Sequence, residues 1–490
     1  MRRTKIVATL GPAVSSYELV RGLVEAGMDV ARLNFSHGDH DLHRRSFEWV
    51  RRASVEAGRN VAVLQDIQGP KIRVGTFPGG SVDLLPGSVV RLVPHGIEGT
   101  ATVIGCNYPH LLEDLAPGDR VILADGLIEL AVTALLDDGV EAVVRMGGVL
   151  GDHKGVAFPD SALRVPSVTD KDRLDLDLGR ELGVDYVAAS FVRSGADVRQ
   201  VRELAGSIPV IAKVELAVAY ENLDDILLEA SGVMVARGDL GVQLPLERIP
   251  LVQADILTRT NAAGRISITA TEMLESMTHA PRPTRAEVTD VATAVMAGTD
   301  AVMLSAETAI GQYPALTVST MARICREVEK GSVGKGNVGV PFVGAANRVA
   351  SAVAQAATEA ASNLGIKTIV AFTESGSSAG LLSKYRPDAA IVAFTPIPET
   401  MRRMALYWGV NAYPFERRQY TDHEIAAAEK FLEKEQLCNR GDLVVMVAGI
   451  PPNQRSATNL MKIHLVGERQ GGVQSRRSGR RSPEAGGLGV

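Results

Sequence analysis

Two stretches of sequence decide the fold, Pro209-Val-Ile-Ala-Lys-Val-Glu215 and Gly232-Val-Met-Val-Ala-Arg-Gly-Asp239. Each is an apolar, buried-type strand that closes on a carboxylate. Successive parallel strands present their carboxyl ends at one edge, where two carboxylates can share a hard cation. Lys213 lies two residues before Glu215, so the strand period of two points both side chains to one face. An ammonium beside a cation site suits a substrate that bears phosphate, whereas a structural ion pair between Lys213 and Glu215 is the alternative.

Eight apolar runs, most of them followed by a helix-like stretch, predict a closed (β/α)8 barrel in the α/β class. They span residues 5–10, 30–36, 61–67, 186–191, 209–215, 232–239, 266–271 and 300–307. A barrel gathers its chemistry at the carboxyl ends of its strands, so the polar residues that end these runs should face one pocket. Those residues are Arg32, Asn34, Ser36, Asp66, Lys213, Glu215, Asp239, Thr271, Ser305 and Glu307.

The rest of the chain predicts two more domains. Short alternating runs such as 89–93 and 121–123, punctuated by Gly and Pro, are typical of a small β-barrel or sandwich, which would rise from the active face as a lid. After a Gly-rich linker at 331–339, helices and strands alternate again and include strands at 368–373 and 442–448, which predicts a mostly parallel sheet. The predicted division is a barrel of 1–69 and 168–330, an inserted β domain of 70–167, a C-terminal α/β domain of 340–467 and a disordered, arginine-bearing tail of 468–490.

The composition of the 490 residues is ordinary for a soluble globular protein, with 46% hydrophobic and 22% charged residues. A net charge of -5 does not indicate binding to nucleic acid, and no apolar run approaches the length of a membrane helix. The three cysteines are isolated, which favours a reducing compartment. The apolar run 6–10 is too short for a secretory leader, so a cytoplasmic enzyme is expected.

Five motifs carry a resemblance to a known family. They are Ala31-Arg-Leu-Asn-Phe-Ser-His-Gly38, Gly69-Pro-Lys-Ile-Arg73, Met234-Val-Ala-Arg-Gly-Asp-Leu-Gly241, Met273-Leu-Glu-Ser-Met277 and Arg282-Pro-Thr-Arg-Ala-Glu287. In order and spacing the chain resembles the bacterial pyruvate kinases over residues 4–467. The resemblance implies a phosphotransferase that moves the phosphoryl group of phosphoenolpyruvate to ADP, giving pyruvate and ATP in the last step of glycolysis.

The resemblance also implies roles at the strand ends. Glu215 and Asp239 correspond to the ligands of Mg2+ or Mn2+, while Lys213 and Arg32 correspond to the cations that hold the phosphoryl group. The N–H groups of Gly238 and Asp239, with Thr271, would receive the substrate carboxylate. A hydroxyl with a water chain can protonate the enolate carbon, and the candidates are Thr271 and Ser305. Thr271 is preferred because it ends a strand beside the metal, and packing of a strand end stays open for Ser305.

Two further sets of residues follow from the same resemblance. The nucleotide-binding set is Asn34, His37, Arg73 and, from the lid, Lys154. The set of a monovalent-cation pocket is Asn34, Ser36, Asp66 and the carbonyl of Ile67, which could instead simply brace Arg32.

At Lys71 the chain resembles the potassium-independent subgroup of the family. Potassium-dependent members typically read Gly-Pro-Glu-Ile-Arg, whereas this chain reads Gly69-Pro-Lys-Ile-Arg73, as the potassium-independent members do. A fixed ammonium can supply the charge of a bound K+, so K+ is not expected to be required. A solvent-facing lysine at the lid hinge is the alternative.

The loop Phe372-Thr-Glu-Ser-Gly-Ser-Ser378 joins a predicted strand to a helix and resembles the allosteric loop of the family. Its hydroxyls, at Thr373, Ser375 and Ser378, would cradle the phosphate of a sugar-phosphate or nucleotide effector. A plain turn with a Ser N-cap is the alternative. The resemblance also suggests a homotetramer.

Several positions depart from the family pattern, and other functions stay open. Glu272 stands where Gln is usual, Ala306 where Gly is usual and Ala124 where Asp is usual; Leu216 replaces a polar residue, and Arg265-Ile-Ser-Ile268 differs from the usual Lys-Pro-Val. An added carboxylate at Glu272 could weaken the binding of an anionic substrate, as in a less active paralogue. The alternatives are a metal-dependent lyase that stabilises the enolate of pyruvate and a binding regulator that has lost catalysis.

Overall fold

A closed barrel of eight parallel strands forms the centre of the molecule. The computed structural model describes residues 2–94, 96–331, 348–416, 418, 420–450 and 458–468. Each barrel strand pairs with its neighbours in chain order, and the first pairs with the eighth. The eight strands are Lys5–Leu10, Val30–Asn34, Ala62–Asp66, Tyr186–Ala189, Val210–Val214, Gly232–Ala236, Ile266–Ala270 and Ala301–Leu304. The predicted (β/α)8 barrel is confirmed.

The strands form where the sequence is rich in Val, Ile and Ala and is covered on both faces. All five residues of Val210–Val214 are buried, and so are all five of Gly232–Ala236. Branched side chains that fill both faces are typical of parallel barrel strands. The register of the first three strands sets Thr9 beside Arg32 and Arg32 beside Leu64, which brings these positions to a common height.

Seven of the eight predicted strands run past the observed ends. Asp239 was expected to close the sixth strand, and that prediction is wrong: the strand ends at Ala236 and Asp239 lies in the first turn of the helix Arg237–Gln243. Thr271 and Ser305 also lie just beyond their strands. Both residues bond outside the strand ladder, because the Thr271 hydroxyl accepts the N–H of Gly238 and the Ser305 N–H donates to Glu307.

Helices surround the barrel and begin at well-formed caps. The Thr169 hydroxyl accepts the N–H of Asp172 while the Asp172 carboxylate accepts the N–H of Thr169, and the same capping box joins Thr284 and Glu287. None of the helices among the residues that the structure describes is both long and apolar enough to span a bilayer. The helices of this part are Tyr17–Ala26, His40–Glu56, Asp170–Leu182, Gly195–Ala205, Ala217–Glu221, Leu223–Glu229, Arg237–Gln243, Ile249–Ala262, Arg285–Met296, Ala306–Ala309 and Pro314–Lys330.

The inserted domain is rich in strands, as predicted. A six-stranded and a two-stranded sheet share one apolar core, which includes Leu84 and Leu150 from the smaller sheet and Val90 from the larger. Its strands are Ser81–Leu84, Val89–Val93, Val103–Gly105, Arg120–Leu123, Ile128–Leu136, Gly139–Met146, Gly148–Gly151 and Val156–Ala157, and its helix is Leu111–Asp114.

The C-terminal domain is an α/β layer with a mostly parallel sheet, also as predicted. In spatial order its strands are Val410–Pro414, Ala390–Thr395, Thr368–Phe372, Leu443–Ala448 and Leu460–Leu465, the last antiparallel to its neighbour. Its helices are Arg348–Asn363, Ser377–Lys384, Pro398–Arg403 and Thr421–Lys434. The predicted linker and tail lie outside the described residues except for Gly331 and Glu468. The exact domain ranges stay predictions.

Buried ion pairs join the C-terminal domain to the amino-terminal end of the barrel. Asp300, just before the eighth strand, lies 2.7 Å from Arg386 and is also paired with Lys384. Asp185, just before the fourth strand, lies 2.9 Å from Arg402. Both carboxylates also accept a main-chain N–H from a neighbouring barrel strand. The C-terminal domain is therefore attached through carboxylates that immediately precede barrel strands and also bond a neighbouring strand.

Candidate active site

Lys213 is the centre of a buried charge cluster at the carboxyl end of the barrel. Its Nζ lies 2.7 Å from Glu215 Oε1 and 3.4 Å from Asp66 Oδ1, and it donates to Ser190 Oγ at 2.8 Å. These partners come from the ends of the third, fourth and fifth strands. The ion pair that was the alternative interpretation of Lys213 and Glu215 is thus present, within a larger cluster that faces a cleft.

Arg32 adds a second fixed cation. Its Nε donates to Asp66 Oδ2 at 2.7 Å, and its guanidinium also donates to Thr9 Oγ1 at 3.0 Å. Asp66 therefore lies between Lys213 and Arg32 and holds both side chains in place. Asp66 and Glu215 together balance the charges of Arg32 and Lys213, so the cluster offers a phosphate-bearing ligand two fixed cations but no net positive charge of its own.

The pKa shifts follow from this arrangement. Burial disfavours the ammonium of Lys213, but attraction by Asp66 and Glu215 outweighs it and raises its pKa. Burial raises the pKa of Glu215 to about 7, because repulsion from Asp239 adds to burial and Lys213 offsets them only in part. The pKa of Asp66 is lowered despite its burial, because Lys213 and Arg32 both stabilise the charged form. Of the two carboxylates paired with Lys213, Glu215 is therefore the one left short of positive charge.

Glu215 and Asp239 face the same cavity, of about 410 Å³, between the barrel and the inserted domain. Within the described ranges, no group of three or more His, Cys, Asp or Glu is placed to hold a metal ion. Two carboxylates with further oxygens from water and substrate are the usual environment of Mg2+, so these residues fit a divalent cation. A Cβ on Gly126 of the inserted domain would lie 3.8 Å from Val242, so the inserted domain touches the helix that carries Asp239.

Thr271 and Gly238 are bonded to each other at the rim. The N–H of Gly238 donates to Thr271 Oγ1 at 2.8 Å, and the Thr271 hydroxyl donates to the carbonyl of Ala270 at 2.7 Å. The N–H expected to receive a substrate carboxylate is thus occupied by Thr271 here. Thr271 has a φ of 66°, which is rare for a β-branched residue.

Ser305 lies where the eighth strand gives way to the short helix Ala306–Ala309. Its N–H donates to Glu307 Oε2 at 2.6 Å, and Glu307 also accepts the N–H of Leu274 at 3.1 Å. The Ser305 hydroxyl is buried and finds no hydrogen-bond partner in the part of the chain that the structure describes. Glu307 therefore ties the seventh and eighth strand ends together, and Ser305 keeps a free hydroxyl beside them.

Three of the predicted nucleotide-binding residues, Asn34, His37 and Arg73, share one neighbourhood. The N–H of His37 donates to the carbonyl of Asn34 at 3.2 Å. Burial lowers the pKa of His37, and the cations Arg73, Lys71 and Arg32 lower it further, which places them close to the imidazole. The Arg73 guanidinium donates to the carbonyl of His153 at 2.9 Å. The fourth residue, Lys154, lies exposed on the inserted domain.

The predicted monovalent-cation pocket is closely connected to the Lys213 cluster. The Ser190 hydroxyl donates to the Ile67 carbonyl at 2.7 Å and lies 3.3 Å from Asp66 Oδ1. Asn34 Oδ1 accepts the N–H of Ser36 at 3.2 Å.

Lys71 lies between the two domains. A Cβ on Gly155 would lie 3.4 Å from its Cε, which places the lysine stem against the inserted domain. The cations that act most strongly on Asp66 are instead Lys213 and Arg32.

Two family models match most of the chain. Residues 1–318 match the family model described as pyruvate kinase, barrel domain, and residues 351–464 match that described as pyruvate kinase, alpha/beta domain. The chain belongs to the pyruvate kinase family.

Relatives within the family cover nearly the whole chain. It is 44% identical to the pyruvate kinase of Mycobacterium tuberculosis (strain ATCC 25618 / H37Rv) over 471 residues, 95% of this chain and 99% of the relative. It is 42% identical to that of Geobacillus stearothermophilus over 474 residues, 95% of this chain and 81% of the relative. A crystal structure of a pyruvate kinase from Cryptosporidium parvum is similar with a TM-score of 0.88 and 35% identity, covering 95% of this chain and 96% of that one.

The loop that resembles the allosteric loop of pyruvate kinases forms a compact turn before the helix Ser377–Lys384. Thr373 Oγ1 accepts the N–H of Gly376 at 2.9 Å, and the Ser378 hydroxyl is hydrogen-bonded to Thr458. The N-cap is Gly376, with a φ of 83°, so the alternative of a Ser N-cap is wrong. A glycine is favoured here because the left-handed backbone strains other residues.

Sequence reasoning missed Ser190. This residue follows the fourth strand directly and bonds Lys213, Asp66 and the Ile67 carbonyl. The signal was available, because Ser190 is a polar residue at the end of an apolar run, as Thr271 and Ser305 are. Arg237, which bonds the Thr271 turn, was also missed, and no local pattern marks it.

The departures from the pyruvate kinase pattern leave the charge cluster intact. Glu272 is exposed, with a φ of 54°, and Ala124 also has a positive φ, of 51°. Leu216 lines the cavity beside Glu215. Ala306 begins a short helix, and Arg265 donates to the carbonyls of Leu227 and Leu228.

Proposed function

We infer that this chain transfers the phosphoryl group of phosphoenolpyruvate to ADP, giving pyruvate and ATP. The observation that carries the inference is the buried cluster of Lys213, Glu215, Asp66 and Arg32 beside Asp239, inside a chain of this family. Phosphoryl transfer asks little covalent work of a protein and much positive charge in a fixed geometry. The cluster supplies two cations in a fixed geometry, and a divalent cation held by Glu215 and Asp239 would supply the remaining positive charge.

In the transfer step, an oxygen of the β-phosphate of ADP attacks phosphorus and the bond to the enol oxygen breaks. Lys213 and Arg32 stabilise the charge on the equatorial oxygens, and Asp66 holds the two cations in place. A divalent cation held by Glu215 and Asp239 would add positive charge at the same oxygens. His37, Arg73, Asn34 and, on closure of the inserted domain, Lys154 are assigned to ADP.

In the second step the enolate carbon takes a proton. Thr271, bonded to Gly238 at the rim, is assigned as the hydroxyl that passes it from solvent, and Ser305 is the second candidate because its buried hydroxyl has no other partner in the described part of the chain. The substrate carboxylate would replace Thr271 Oγ1 as the acceptor of the Gly238 N–H, joined by the N–H of Asp239.

The test is a direct assay of ATP formed from phosphoenolpyruvate and ADP, with Mg2+ or Mn2+ and after chelation. Rapid formation that stops on chelation is expected. Metal-dependent consumption of pyruvate enolate without any need for nucleotide would favour the lyase, and ligand binding without turnover would favour the regulator. A slow but metal-dependent rate would favour the less active paralogue.

We also propose that the enzyme works without K+. Support comes from Lys71 and from the two cations already paired with Asp66. Turnover in a tetramethylammonium salt, free of sodium and potassium, should equal turnover with added K+, and Lys71→Glu should become dependent on K+. Many-fold activation of the parent enzyme by K+ would overturn this.

The loop of Thr373, Ser375 and Ser378 is proposed to bind the phosphate of a sugar-phosphate or nucleotide effector. Such a ligand should shift the phosphoenolpyruvate saturation curve, and Ser375→Asp should abolish the shift through like-charge repulsion. Identical curves with and without a panel of these phosphates would contradict the assignment. A homotetramer and a cytoplasmic location stay predictions.

A further inference from the structure

The turn that carries Thr271 is strained. Thr271 and Glu272 have φ angles of 66° and 54°, so two successive residues other than glycine adopt the left-handed conformation. Such a turn persists only where surrounding contacts over-determine it. Several of these contacts come from one side chain, that of Arg237.

Arg237 lies one residue past the sixth strand, and its side chain is only 10% exposed. Its Nε donates to the carbonyl of Ala270 at 3.2 Å, and one terminal nitrogen donates to the carbonyls of Thr271 at 2.6 Å and Glu272 at 3.3 Å. The other terminal nitrogen lies 2.6 Å from Asp290 Oδ2. One guanidinium therefore bonds three consecutive carbonyls of the turn and is anchored on its far side by a carboxylate.

The residue after Arg237 holds the same turn from the other side. The N–H of Gly238 donates to the Thr271 hydroxyl at 2.8 Å. Thr271 is thus fixed by its carbonyl through the Arg237 side chain and by its hydroxyl through the neighbouring main chain. A lysine has one nitrogen and no planar fork, so it cannot reproduce the three carbonyl bonds and the anchor.

We propose that Arg237 is a positioning residue for protonation of the enolate, because it sets the place of the Thr271 hydroxyl. The inference rests on the role proposed for Thr271. Thr271 and the Gly238 N–H are also assigned to the substrate carboxylate, so binding of phosphoenolpyruvate should weaken as well, and the two rates are compared at saturating substrate. Lys213 and Arg32, which serve phosphoryl transfer, are not among the groups that Arg237 bonds. Loss of Arg237 should therefore slow proton exchange at carbon far more than ATP formation.

The proton step can be measured alone. In D2O with Mg2+ and ATP, a C–H bond of the pyruvate methyl group breaks, its proton passes to the hydroxyl and water chain, and the electron pair forms the enolate. Return of a deuteron from the same chain forms a C–D bond and regenerates the ketone. Loss of the methyl signal in proton NMR follows this exchange, while ATP formation from phosphoenolpyruvate and ADP reports the other half of the reaction.

In Arg237→Lys the exchange rate should fall by about 10²-fold, as expected when a reacting group moves by about 1 Å. ATP formation should fall by a much smaller factor, and the KM for ADP should not change. The matched control is Arg265→Lys, because Arg265 immediately precedes the seventh strand, at the end opposite to Thr271, and donates to the carbonyls of Leu227 and Leu228. The control should leave both rates unchanged.

Equal losses in both rates, or an unchanged exchange rate, would overturn the inference. If Arg237→Lys fails to fold, Asp290→Asn decides, because it keeps the arginine but weakens its anchor and should slow exchange selectively. Thr271→Val tests the role of Thr271 separately from that of Arg237. If exchange survives in Thr271→Val, the role proposed for Thr271 is wrong; if it is lost there but survives in Arg237→Lys, only the role of Arg237 is wrong.

Discussion

The two ends of the barrel use buried carboxylates in opposite ways. At the amino-terminal end, Asp29, Asp185 and Asp300 each precede a strand by one residue, accept the N–H of a neighbouring strand and pair with cations. At the carboxyl end, Glu215 shares one lysine with Asp66 and is repelled by Asp239. Carboxylates that are fully paired fasten the fold, and carboxylates left short of positive charge can bind a cation.

Buried lysines show the same contrast. At the carboxyl end the pKa of Lys213 is raised, although it is buried, because Asp66 and Glu215 attract its charge. At the amino-terminal end burial lowers the pKa of Lys5 to about 8. The difference lies in the neighbouring charges, because two carboxylates outweigh burial at Lys213, whereas Asp29 offsets it only in part at Lys5.

The largest effect is expected from breaking a fully paired carboxylate. Asp300→Asn leaves Lys384 and Arg386 buried without a counter-charge, which should lower the free energy of unfolding by about 3–5 kcal/mol. Urea unfolding followed by circular dichroism measures this loss. The control is Asp224→Asn, since the exposed pair of Asp224 and Arg259 should contribute at most about 1 kcal/mol. Equal losses in both variants would mean that the amino-terminal pairs do not fasten the domains.

At the carboxyl end the quantity to measure is the rate. Lys213→Met removes one charge-stabilising ammonium and should lower turnover by about 10²-fold or more, while the two carboxylates keep their affinity for Mn2+. Steady-state ATP formation and a Mn2+ titration measure the two quantities. A near-normal rate in Lys213→Met would contradict its assignment to the phosphoryl group.

A pH series sharpens the contrast between the lysines. In the native protein Lys5 is neutral above about pH 8, but in the unfolded chain it stays protonated up to about pH 10.4, so the unfolded state binds more protons in this window and stability rises with pH. Lys5→Met should therefore be more stable than the parent at pH 7, by about 1–2 kcal/mol, since loss of the bond to the Val410 carbonyl offsets part of the gain.

The gain in Lys5→Met should vanish as the pH approaches 10.4. Thermal unfolding midpoints at pH 7 and pH 10 test this. A gain that is the same at both pH values would show that Lys5 is charged throughout. The groups that also act on Lys5 are Asp29, Arg2, Arg59 and Glu329.

The smallest effect is expected at Glu272. This carboxylate departs from the family pattern and was expected to weaken substrate binding, yet its side chain is exposed at the rim. At physiological ionic strength dissolved salt weakens the field of an exposed charge over a distance of about 8 Å. Glu272→Gln should therefore change the KM for phosphoenolpyruvate by less than about 3-fold. A larger change that persists at high salt would place Glu272 in direct contact with the substrate.

The sequence predicts the barrel well because a strand buried on both faces is a local pattern of apolar residues. It also predicts that Lys213 and Glu215 share a face, since the period of two is local. It does not predict where the sixth strand ends. The strand stops before Asp239 because a helix begins at Arg237, and the groups that Arg237 bonds are distant in the sequence. The contacts of Arg237 with Thr271 and Asp290 span 34 and 53 residues, which no periodicity reveals.

The fourth strand, Tyr186–Ala189, has four residues, a length of roughly 13 Å. Asp185 at one end binds Arg402 of the C-terminal domain, and Ser190 at the other end binds Lys213. The eighth strand, also of four residues, likewise separates Asp300 from Ser305. Each of these two strands connects a contact with the C-terminal domain to a residue at the carboxyl end of the barrel. A displacement of the C-terminal domain at Asp185 or Asp300 would therefore be separated from Ser190 or Ser305 by only four residues.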